Sequence, residues 1–104
     1  MRAAEWIAQA RPEAPERLVA RVREVLEMNP KAKELEVADA LLDAADALLK
    51  LVLREGGETA RERALDLLAA DACVTWAFEV AADDPVTLGA RARASMQRLE
   101  QVVA

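Results

Sequence analysis

Four sets of helix breakers divide this chain, and everything between them patterns as helix. Pro12 and Pro15 form the first set, Asn29–Pro30 the second, Gly56–Gly57 the third and Asp84–Pro85 the last. No block between them alternates apolar and polar residues with period two, and β-branched residues are scattered. The spacing therefore predicts an all-α chain.

The blocks carry their own start and stop signals. "AAEWIAQA" (3–10) forms a short helix or an arm, with Trp6 and Ile7 as its apolar contacts. Pro15 suits the first position of a second helix, because its missing N–H is unpaired there in any case. In that block Leu18, Val19, Val22, Val25 and Leu26 share one face. Asn29 reads as an N-cap with Pro30 behind it, opening a helix that runs to Gly56. At about 1.5 Å per residue that helix would be about 38 Å long. Val37, Leu41, Ala44, Leu48 and Leu51 follow heptad spacing along it. Glu36, Asp39, Asp43, Asp46, Lys50 and Arg54 make the opposite stripe.

"TARE" (59–62) is a capping box: Thr59 can accept from the Glu62 N–H, and Glu62 can reach back. The helix it opens runs to about residue 82. Asp84 then caps a last helix with Leu88, Ala92, Met96, Leu99 and Val103 on its buried face. The expected fold is an antiparallel bundle of three to four helices around a long hairpin, 30–55 and 60–82. It is one domain, 1–104, with 1–14 as an N-terminal arm or short helix. Helix 60–82 is apolar nearly all round, so it needs cover on several sides. A homodimer that completes the bundle is the simplest cover.

Composition restricts function more than it assigns it. A length of 104 residues suits a single domain with its own core. The net charge of −5 opposes binding to nucleic acid or anionic membranes, neither of which is expected as a partner. No uncharged apolar run is long enough to span a bilayer, because Asp71 and Glu79 interrupt the best one. The first residues lack the apolar core of a signal peptide. Cys73 is the only cysteine, which fits a reducing cytoplasm.

The catalytic inventory is thin. The chain has no His and no Tyr, and Ser95 is its only serine. Gly56–Gly57 lacks the pattern of a phosphate-binding loop. Without His, a di-iron bundle site is excluded, and no cofactor or metal is expected. Asp39, Asp43 and Asp46 read as a solvated acidic stripe. Arg17, Arg21 and Arg23, set among Glu16, Glu24 and Glu27, read as a solvated face.

One polar line asks for an explanation. Asp71, Thr75 and Glu79 recur every fourth residue along the third long helix. Folding the last helix back on it would set Glu79 near Arg91, Thr75 near Ser95 and Asp71 near Arg98. Those pairs are expected to fix register, not to form a site. Cys73 reads as a small buried hydrophobe, since no base lies within a turn of it.

The leading expectation is a small cytoplasmic protein–protein interaction module: an adaptor, regulator or accessory subunit, homodimeric, with a further protein as a second partner. Its contact residues would be Trp6 and Ile7 on the arm, or Trp76 and Phe78. The alternative is a binder of a small apolar ligand in a cavity lined by Cys73, Trp76, Phe78 and Met96. The third reading is an enzyme working with carboxylates alone, which no spacing singles out.

Overall fold

The computed structural model describes residues 1–54, 56–82, 93–94 and 96–102. Among them there is no strand, and the all-α expectation holds. Four helices are bounded: α1 (Ala3–Ala10), α2 (Glu16–Met28), α3 (Val37–Leu53) and α4 (Ala60–Ala81). Residues 93–94 and 96–102 are also helical.

α1 is a helix docked on the body of the molecule, not a loose arm. Ala3 and Ile7, one turn apart, are 4% and 2% exposed. Trp6 packs half-buried against the same core. Pro15 stands at the N-cap of α2, one position earlier than its fixed φ suggests. Val22, Val25 and Leu26 then turn the inner face of α2 into the core.

The long helix expected from residue 30 begins only at Val37. Asn29 does not cap it. Its side chain accepts from the Lys31 N–H at 3.0 Å, and its carbonyl accepts from the Ala32 N–H at 3.1 Å. These bonds close turns of the kind that Asn side chains favour over helix. Further turns follow, with Glu34 and Leu35 both donating to the Lys31 carbonyl. The folded-back connection buries Ala32. With 17 residues, α3 is about 25 Å long, well short of the expected 38 Å.

α3 and α4 fold back on each other and form the most extensive helix pairing. Gly56 makes the return: its φ of +67° is left-handed backbone that other residues adopt only at a cost. The capping box is formed as the sequence predicts. Glu62 N–H donates to Thr59 Oγ1 at 3.2 Å, and Thr59 N–H donates to Glu62 Oε2 at 3.4 Å. The shared core takes Leu41, Ala44, Ala45 and Leu48 from α3, and Ala69, Ala70, Cys73, Trp76 and Ala77 from α4. So many alanines bring the two backbones close, which leaves little room for a cavity between them.

Candidate functional site

Two of the four sequence-derived contact residues are spent inside the chain. Ile7 and Trp76 are core residues, 2% and 6% exposed, so neither is free to anchor a partner. Trp6 and Phe78 are half-buried. Trp6 lies under the Arg11 guanidinium, whose carbon sits 5.8 Å from its ring centroid, a cation–π contact. Arg11 also donates to the Ala10 carbonyl at 2.7 Å and to Glu79. Trp6, Arg11 and Glu79 thus clamp the end of α1 to the end of α4. Cys73 is fully buried, and burial pushes its thiol up to about 12. It is a core side chain with no thiolate character near neutral pH.

The polar line down α4 is the outward face of that helix, and its pairs differ from those expected. Asp71 and Thr75 are exposed. Glu79 pairs with Arg11, and Arg98 pairs with Asp43 on α3, not with Asp71. Arg98 and Leu99 line a crevice together with Leu42, Ala45, Asp46 and Val74, which brings the Arg98 guanidinium over the acidic stripe of α3. Arg91 and Ser95 lie outside the described residues. Met96, expected on a buried face, is 61% exposed. The rest of the stripe is also engaged: Asp46 meets Lys50 at 3.2 Å, and Asp39 has an interaction of its own.

Among the described residues one charged side chain is buried, and the sequence analysis did not single it out. Asp66, on α4, is 1% exposed. Arg21 of α2 grips it with two bonds: Nε to Oδ1 at 2.7 Å and Nη2 to Oδ2 at 3.1 Å. Arg21 Nη1 also meets Glu24 at 3.0 Å. Burial alone would raise the Asp66 carboxyl. The Arg21 guanidinium and a hydrogen bond from Glu58 win, and hold it below its ordinary value. Glu58 moves the opposite way: the hydrogen bond to Asp66 favours its protonated form, and its burial adds to the rise. Among the described residues no donor reaches its buried Oε2, which adds to the preference for the protonated form.

Two carboxyl groups with opposed shifts are what acid–base chemistry requires. Here, however, the low carboxyl is sealed in and held by a bidentate arginine. The cluster's evident work is to join α2 to α4. Sequence reasoning could have found Asp66 by position, since it precedes Ala69, Ala70 and Cys73 at helical spacing on the buried side.

Two further exposed features stand out among the described residues. The first is apolar: Leu67 and Leu68 on α4 are 47% and 62% exposed, and Ala64, one turn earlier, is exposed as well. The second is a groove of about 670 Å³ between the start of α1, the end of α2 and the turns that follow it. α1 and the residue before it contribute Arg2, Ala3 and Ala4; α2 contributes Arg23, Leu26 and Glu27; the turns contribute Asn29, Pro30, Ala32 and Lys33. The groove's residues come from two separate stretches of the sequence, 2–4 and 23–33, so no single local motif could announce it.

Among the described residues, no group of three or more acids, Cys or His could hold a metal ion, and no helix is long and apolar enough to cross a membrane. No protein family, curated protein or solved structure matches this chain.

Proposed function

We propose that this chain is a small protein–protein interaction module that pairs with a second copy of itself through the outer face of α4. The observation that carries the reading is the adjacent pair Leu67 and Leu68, more than 40% exposed beside Ala64 on a helix whose other side is core. Contiguous apolar surface of this kind marks an interaction site more often than does a lone leucine.

The charges beside the leucines suit a second copy. Arg61 and Asp71 are exposed and make no ion pair among the described residues. In an antiparallel two-fold pairing of α4 about Leu67 and Leu68, Arg61 of one copy falls within about one turn of Asp71 of the other. The two α3–α4 hairpins would then complete an antiparallel bundle. The reading extends to a cytoplasmic adaptor, regulator or accessory subunit that offers its remaining surfaces to another protein. Cys73, single and buried, is compatible with a reducing compartment.

The test is solution mass against concentration, from micromolar to millimolar, for the parent and for Leu67→Glu/Leu68→Glu. The parent should be a dimer, and the double variant a monomer with unchanged helical content. A parent that stays monomeric throughout ends the proposal.

A further inference from the structure

We infer that the groove between α1 and the α2–α3 connection binds a small amphipathic carboxylate, with its alkyl chain on the groove floor and its carboxylate among Arg2, Arg23 and Lys33. The floor is apolar: Ala3, Leu26 and Ala32 line it and are 4%, 7% and 8% exposed. The cations stand above that floor on exposed positions. A volume of about 670 Å³ suits a small molecule.

Charge gives the sign of the ligand. The chain as a whole carries −5, yet the groove sets three cations against the single acid Glu27. Arg23 and Glu27 stand one helical turn apart and still form no ion pair. Among the described residues, neither Arg2, Arg23 nor Lys33 has an acidic partner. By contrast, Arg11, Arg21, Lys50 and Arg98 each hold a carboxylate of this chain. Three cations without acidic partners over an apolar floor match a molecule with one anionic end and one apolar end. Guanidinium groups also take carboxylates by two parallel bonds.

Shape favours a small molecule over a peptide. Among the described residues there is no sheet edge to which an extended peptide could add. A docked helix needs an apolar trough several turns long, whereas this floor is built from one leucine and two alanines.

The probe is decanoate, titrated below its micelle threshold by calorimetry, with decanol and acetate as the two half-ligands. Decanoate should bind with a dissociation constant on the order of 100 µM, raise Tm, and weaken with added salt. Arg23→Glu/Lys33→Glu should weaken it at least tenfold with helical content unchanged. Arg2→Glu, just before α1, gives an independent reading should the double variant fold poorly. Leu67→Glu/Leu68→Glu should bind decanoate as the parent does, which separates this site from the self-pairing face. Four results would overturn the inference: no decanoate binding at millimolar concentration, equal binding of decanol, equal binding of acetate, or unchanged affinity in both charge variants. A hexaglutamate peptide that binds where decanoate does not would give the groove to an acidic protein instead.

Discussion

α3 and α4 pack along each other, yet they divide their residues by different rules. α3 is conventionally amphipathic: Leu41, Ala44, Ala45 and Leu48 face in, while Asp43, Asp46 and Lys50 face out and pair with charges. α4 breaks the rule in both directions. It buries Asp66 at 1% exposure and leaves Leu67 and Leu68, its next two residues, in solvent. The difference is one of neighbours. α3 meets α1, α2 and α4, so one apolar stripe has a clear inside. α4 has α3 along one flank and Arg21 of α2 at Asp66, so its inside includes a cation and its outside has no cover among the described residues. An inward polar residue and an outward apolar pair on one turn teach that burial follows partners, not polarity.

Truncated leucines separate the two helices most clearly. Leu41→Ala on α3 removes a side chain with no exposed surface, from a core dense with alanine that cannot close around the gap. It should cost about 3 kcal/mol in denaturant unfolding. Leu68→Ala on α4 removes the same atoms from solvent. It should change stability by less than about 0.5 kcal/mol, measured at a concentration low enough to avoid pairing. Equal losses would mean that the outward face of α4 is covered in the isolated chain.

The Asp66 cluster comes next in size. Asp66→Ala leaves Arg21 with only Glu24 and water, and should cost about 2–3 kcal/mol. Replacing both partners with apolar residues, Arg21→Met/Asp66→Leu, should recover most of that loss, because it leaves no charge unpaired. The pH dependence separates the two acids. Asp66 lies below its unfolded value, so its contribution is present above the ordinary aspartate range and is lost as pH falls through its folded pKa. Glu58 lies above its unfolded value, so its contribution is full in acid and is lost as pH rises through its folded pKa. Glu58→Gln keeps a donor beside Asp66 without ionising. Its Tm should exceed the parent's at pH 7, and that advantage should shrink by pH 4. An advantage equal at both pH values would show that Glu58 ionises freely.

How far the sequence could be read follows the same division. Breakers and caps are local, so Gly56, Thr59 and the ends of α4 were legible. Asn29 was legible as a helix signal but resolved differently, because its side chain closed a turn with Lys31 before any helix could begin. Asp66 was hidden, since its partner lies 45 residues away and Arg21 looked like one of several surface arginines. The Arg98 pairing misled for the converse reason. A register drawn from one turn placed it opposite Asp71, while the crevice beside Leu42 and Ala45 put Asp43 within its reach. The cationic groove is assembled from residues 2–4 and 23–33, and only the fold brings those two stretches together.

The smallest of the losses expected tests whether α4 keeps its start independently of its unusual faces. Thr59 and Glu62 satisfy each other's N–H groups at exposed positions, with no contribution from the core. Thr59→Ala removes the Oγ1 acceptor and should cost about 1 kcal/mol. Glu62→Gln keeps an acceptor and should cost less, with the remainder being the carboxylate's attraction to the helix N-terminus. That remainder should fade in high salt, while the Thr59 loss should not. Asp66 lies on the next turn, so the Thr59→Ala loss also reads how tightly the cluster holds the helix by itself. If fraying from Thr59→Ala reaches Asp66, amide exchange at residues 63–66 will speed up with it. If the Arg21 grip anchors the turn, the faster exchange will stop before Asp66, and the first turn of α4 will open alone.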